Sequence, residues 1–138
     1  MNRNEREALL IELAGFDVFA DCERDDLEAL IAASDDFVLT TSWSVVQQGI
    51  PADALYVVLD GDARVFDGRT EIATLGRGDI FGEMGLLGNG RRTATVTAND
   101  SLTGLRIGYG RLARVMRRRP AIARAITAVH ETRLAPVA

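Results

Sequence analysis

The sequence predicts a mainly β fold: a small jelly-roll β-barrel with an N-terminal helical segment and C-terminal helices. Two observations carry this. Apolar residues keep helical spacing to about residue 35, switch to short β-like runs from Phe37, and return to helical spacing near Tyr109. The β runs are short, numerous and punctuated by glycine, aspartate and asparagine, as in small barrels and jelly rolls. A length of 138 residues argues for one domain, 1–138, and 47% hydrophobic residues can supply its core.

The elements follow in order. Residues 4–13 read as a helix, with Leu9, Leu10 and Leu13 on one side, stopped by Gly15. Phe16 and Phe19 then sit three apart in a short turn-like segment. A second helix is expected at 24–33, with Leu27, Leu30 and Ile31 as its buried face. The acids of Glu23-Arg24-Asp25-Asp26 suit its first turn, where negative charge meets the helix dipole. The barrel with its ligand site is expected over 36–107. Its strands fall near 37–41, 44–47, 55–59, 62–66, 70–75, 79–81, 94–98 and 101–107. Gly49, Asp60-Gly61, Asp67-Gly68, Gly76-Arg77-Gly78 and Asn99-Asp100 separate them, and Asp67-Gly68 is a hairpin signal. The C-terminal helices take up 108–134. One runs from Tyr109 to Arg118, Pro120 interrupts, and a last helix spans 121–134 before Pro136.

Composition narrows the function classes. No apolar run approaches the roughly 20 residues that cross a bilayer, and the mixed-charge N-terminus does not resemble a signal peptide. The lone Cys22 cannot form an internal disulfide, which fits a reducing cytoplasm; it reads as a small, partly buried side chain. All sixteen basic residues are arginine, a bias that suits a GC-rich genome. The net charge of -4 hides an asymmetry: residues 1–83 carry most of the acids, and residues 84–138 hold ten arginines against two acids. The two parts should attract each other in the fold. General nucleic-acid binding is disfavoured by the acidity. The run Arg111, Arg114, Arg117, Arg118 and Arg119 lacks interleaved aromatics and reads as a solvated helix face. His130 is the only histidine and reads as a surface helical residue; without a histidine in the barrel, a metal-dependent enzyme is disfavoured.

Residues 81–98 are the most informative stretch. Glu83 opens a short apolar turn, and Arg92 and Thr93 open a β-like alternation. Gly85, Gly88 and Gly90 lie between them and permit close backbone approach. An arginine fork meets two phosphate oxygens better than a lysine does, and N–H groups at a helix start add donors. A carboxylate only accepts, so Glu83 suits a sugar hydroxyl. These pieces suit a ligand that carries one phosphate and one sugar hydroxyl. Bland readings stand beside them: Glu83 as a first-turn helix acid, Arg92 as half of a surface ion pair, Thr93, Thr95 and Thr97 as the wet face of an edge strand.

Phe81-Gly82-Glu83-x-Gly85-Leu86-Leu87, followed by Arg92-Thr93-Ala94-x-Val96-x-Ala98, resembles the phosphate-binding cassette of the cyclic nucleotide-binding domain family. That family includes catabolite activator proteins, regulatory subunits of cyclic-AMP-dependent protein kinase and cyclic-nucleotide-gated channels. The resemblance covers roughly residues 14–132, with Tyr56-Val57-Val58-Leu59-Asp60-Gly61 matching the strand and turn before the cassette. It implies that Arg92 pairs with the cyclic phosphate and that Glu83 accepts from the ribose 2′-hydroxyl, with Gly82 in backbone contact nearby. Met84 and Ala94 would offer backbone groups, and the Thr93 hydroxyl would reach the phosphate or the base. Val65, Ala73 and Leu75 would line the base pocket or serve as plain core.

The expected function is therefore a sensor with no catalytic activity and no cofactor, binding cyclic AMP or cyclic GMP and signalling by movement of the last helix. Thr93 does not decide between the two nucleotides; cyclic AMP is preferred as the commoner bacterial signal of the family. The expected partners are the nucleotide and an effector protein or domain, with room for a homodimer and no nucleic acid, membrane or metal. The alternatives are a ligand-independent interaction domain that retains the fold, and a regulatory fragment of a larger effector protein.

Overall fold

Helix α1 (Arg3–Ala14) begins where the Asn2 side chain accepts a hydrogen bond from the Glu5 amide at 2.8 Å. A computed structural model describes residues 1–40, 44–46, 53–87 and 94–134 of the chain. Gly15 ends α1, and a single 3-10 turn (Asp17–Phe19) buries Phe19. In α2 (Arg24–Ala32) the Asp26 carboxylate accepts from the Glu23 amide at 2.8 Å, so an acid of the expected first turn caps the helix. Leu27, Leu30 and Ile31 form its buried face, as the periodicity predicts.

Six strands follow: β1 (Asp35–Thr40), β2 (Ser44–Val46), β3 (Ala54–Asp67), β4 (Thr70–Leu75), β5 (Ile80–Phe81) and β6 (Thr95–Gly108). A short helix, α3 (Glu83–Leu87), sits between β5 and β6. All pairings are antiparallel, in the order β1-β6-β3-β4, with β2 also on β6 and β5 also on β3. The expected mainly β architecture with flanking helices is borne out. Among the described residues the sheet does not close into a complete barrel.

One local expectation changes. Asp60-Gly61 and Asn99-Asp100 are not turns; β3 and β6 run through them as two 14-residue strands. The register between these strands shifts between Val58 and Asp60 and again between Gly61 and Ala63. Gly61 has φ +90, and a Cβ there would lie 2.1 Å from the Ser101 carbonyl oxygen. The glycine and aspartate signals therefore mark a bulge that bends two paired strands together. The Asp67-Gly68 hairpin forms as expected, with Asp67 opposite Thr70.

Strand alternation divides the core. Leu55 and Val57 of β3 join the helices in one cluster with Leu13, Phe19, Leu30, Leu112, Ile122 and Ile126. Ala54, Tyr56 and Val58 face the other way, into a second cluster with Leu75, Phe81, Val96 and Leu102. Helix α4 (Tyr109–Arg118) continues directly from β6, and α5 (Pro120–Leu134) follows, with Pro120 at its first position. The charge asymmetry reappears as contacts. Arg106–Asp53 (3.2 Å), Arg111–Asp35 (3.8 Å) and Arg119–Asp26 (3.9 Å) each join a C-terminal arginine to an acid of the N-terminal part. Arg114, Arg117 and Arg118 are exposed, as a solvated face requires.

Candidate functional site

Strand β5 is only two residues long, yet it sets the site. Phe81 pairs with Tyr56 and Ile80 with Val57, which anchors the segment on β3. The Tyr56 and Phe81 rings stack at 4.8 Å with 11° between planes, and Phe37 meets Tyr56 edge-on at 5.1 Å. Gly82 then turns the chain with φ +96 and delivers Glu83 as the first residue of α3. The Tyr109 hydroxyl donates to the Gly82 carbonyl, so the start of α4 pins this turn.

The Glu83 side chain is 0% exposed. A carboxylate so buried needs a partner. That partner is Arg133 near the end of α5: its Nη1 meets Glu83 Oε1 in an ion pair, and its Nη2 donates to the Ile80 carbonyl at 2.6 Å. Among the described residues, neither Glu83 oxygen accepts any further hydrogen bond. Burial pushes the Arg133 guanidinium below its ordinary range, and the Asp79 carboxylate opposes that shift. His130, one turn earlier on α5, is half-buried, and its Nδ1 is enclosed with no hydrogen-bond partner among the described residues. It is less exposed than the surface position expected of it.

The expected ligand residues divide into three groups. Gly82, Glu83 and Met84 lie together at the β5–α3 junction, and Ala94 stands half-buried immediately before β6. Arg92 and Thr93 lie outside the described residues, as do Gly49 and Pro136. Val65 is half-buried against the second core cluster, Leu75 belongs to that cluster, and Ala73, opposite Val65, is exposed. Among the described residues no group of three or more histidine, cysteine, aspartate or glutamate side chains gathers as a metal site. Among them, too, no helix is long and apolar enough to cross a membrane.

Sequence reasoning overlooked two contributors. Tyr109 reads in sequence as a helix-start packing residue, and its bond to Gly82 is tertiary. Arg133 carries no local motif; its pairing with Glu83 joins residues fifty positions apart. The excess of arginine after residue 83 is the one signal that points toward such a pair.

Residues 42–119 match the family model described as the cyclic nucleotide-binding domain, more than half of the chain. The chain belongs to the cyclic nucleotide-binding domain family. A cGMP-dependent protein kinase of Toxoplasma gondii is 40% identical over 72 residues, which are 52% of this chain and 7% of the kinase. The chain thus spans less than a tenth of that relative's length. The Thermus thermophilus catabolite activator protein superposes with a TM-score of 0.78 at 26% identity, over 85% of this chain and 57% of that one. The regulatory domain of Toxoplasma gondii PKA, in a co-crystal with cAMP, superposes with a TM-score of 0.73 at 26% identity, over 83% of this chain and 46% of that one. The cassette 81–98 lies wholly inside the family match, which bears out the resemblance that its residues carry. A bacterial source is not supported by the Toxoplasma gondii kinase relative.

Proposed function

We propose that this cyclic nucleotide-binding domain is a non-catalytic sensor of cyclic AMP or cyclic GMP that acts as one module over 1–138. The observation that carries the reading is the wholly buried Glu83, delivered by the positive-φ Gly82 into the family's cassette. Its free oxygen suits a ribose 2′-hydroxyl, which donates to a carboxylate. Gly82, Met84 and Ala94 supply backbone groups around it, and Arg92 and Thr93 receive the cyclic phosphate. Val65 and Leu75, on strands beside the Tyr56–Phe81 stack, form the apolar wall for the base, with Ala73 at its exposed rim. Similar proteins support both nucleotides: one is named for cGMP and another was crystallised with cAMP. No cofactor is needed for binding. The output passes through α5 to an effector protein or domain, in a cytoplasmic setting.

A second reading has one observation in its favour. Arg133 already occupies Glu83, as a ligand-independent interaction domain would allow. Calorimetry with cyclic AMP and cyclic GMP separates the two. A sensor gives saturable heat with at least one nucleotide, and Arg92→Ala weakens it about tenfold or more while the fold persists, since a charged hydrogen bond is worth roughly 1.5–3 kcal/mol. No heat with either nucleotide at about millimolar concentration supports the interaction domain. Unchanged affinity in Arg92→Ala moves the phosphate elsewhere.

A further inference from the structure

We propose that the groove between α2 and α4 is a docking site for an acidic helical segment of a partner protein. None of the residues that line this groove belongs to the nucleotide site, so the proposal stands apart from that reading.

The placement of charge makes the first point. Arg111, Arg114 and Arg118 recur at helical spacing along α4, and with Arg119 they line the groove. Among the described residues no carboxylate lines it, in a chain whose net charge is -4. Arg114 and Arg118 take part in no ion pair among the described residues. Arg111 and Arg119 approach Asp35 and Asp26 only to 3.8 and 3.9 Å, too far for a hydrogen bond. Guanidinium forks left open in this way suit carboxylates, each of which accepts two N–H groups.

The floor makes the second point. Ala29, Ala32 and Ala33 of α2 and Val115 of α4 form the apolar part of the groove. Ala29, Ala33 and Val115 pack on the first core cluster, which anchors that floor. The groove holds about 460 Å³. An α-helix about 10 Å wide fills as much in a single turn, so the groove admits side chains and not a whole helix. The occupant that matches is a helix lying along it, with a small apolar residue set between carboxylates one turn apart. A flat bilayer does not reach such a floor. A nucleic acid would find arginines for its phosphates but no aromatic side chain to stack on, and the acids elsewhere on this chain would repel its length.

Arg117 provides an internal control. It is exposed on the same helix and does not line the groove. Diffuse attraction between a basic helix and an acidic peptide would use Arg117 as readily as Arg114. Docking in the groove would not.

The test is fluorescence anisotropy of a labelled peptide titrated with the full chain. The peptide has about fifteen residues of glutamate, alanine and leucine, long enough to form a helix. It should bind saturably, and the same peptide with glutamine in place of glutamate should bind at least about tenfold more weakly. The double variant Arg114→Ala, Arg118→Ala should lose at least about tenfold in affinity for the glutamate peptide, and Arg117→Ala less than about twofold. Ala32→Glu adds a carboxylate at the exposed lip and should weaken binding about fivefold or more. All these positions are exposed, so urea midpoints should stay unchanged. No saturable binding of the glutamate peptide at about millimolar concentration overturns the proposal. Equal binding of the glutamine peptide, or an equal loss in Arg117→Ala, also overturns it. So does tighter binding of a single-stranded oligonucleotide or of phosphatidylserine vesicles that depends on Arg114 and Arg118, because the face would then serve phosphates.

Discussion

Glu83 concentrates the chemistry of the molecule in one side chain. A positive-φ glycine aims it, a tyrosine hydroxyl fixes the turn before it, and an arginine from the last helix neutralises it. Tyr109 is the part of this set that mutation isolates most cleanly. Tyr109→Phe keeps the ring and removes the hydroxyl that reaches the Gly82 carbonyl. The lost hydrogen bond should cost about 1 kcal/mol in urea unfolding, with the slope of the transition unchanged. No change in midpoint would mean that the turn is held by its backbone alone. Cys22 behaves as its position implies. It is partly buried, and burial together with Asp26 and Asp21 pushes its thiol up, away from the reactive thiolate.

At the scale of elements, helix positions are legible in the sequence because their signals are local. Gly15, the acids of 23–26 and Pro120 all act within a turn of themselves, and α1, α2, α4 and α5 appear within a residue or two of where the sequence places them. The strands are less legible, because Asp60-Gly61 produces the same composition whether it makes a hairpin or a bulge. Only the pairing of β3 with β6 decides, and that pairing joins residues some forty apart. Gly61→Ala tests the bulge. The new Cβ would meet the Ser101 carbonyl in a backbone conformation that L-residues rarely adopt, and the substitution should cost on the order of 3 kcal/mol in chemical unfolding. A loss below about 0.5 kcal/mol would contradict the account.

The contact between α1 and α2 adds a pH dependence. Arg24 hydrogen-bonds Glu7 at 2.8 and 2.5 Å and holds its carboxyl below the ordinary value of 4.5. A depressed carboxyl stabilises the fold above its unfolded value, and that contribution disappears as pH falls through the folded one. The difference in Tm between the unaltered protein and Glu7→Gln should be small at pH 7, since the pair is exposed, and should shrink as pH falls below 4.5. A difference independent of pH would assign the effect to something other than this charge.

For the whole molecule, two halves of opposite charge meet through arginine–carboxylate pairs, and the Glu83–Arg133 pair is the buried member of that set. The cassette could be read from Phe81 to Ala98 because its residues are contiguous. The Glu83–Arg133 pair could not, because Arg133 meets its partners only once α5 folds back over β5. The central claim is that a cyclic nucleotide places its ribose on Glu83, and a calorimetric titration with cyclic AMP and its 2′-deoxy analogue tests this most directly. The account predicts saturable binding of one nucleotide per chain, weakened about tenfold when the 2′-hydroxyl is absent. Equal affinity for the two nucleotides, or no binding of either at about millimolar concentration, would contradict it.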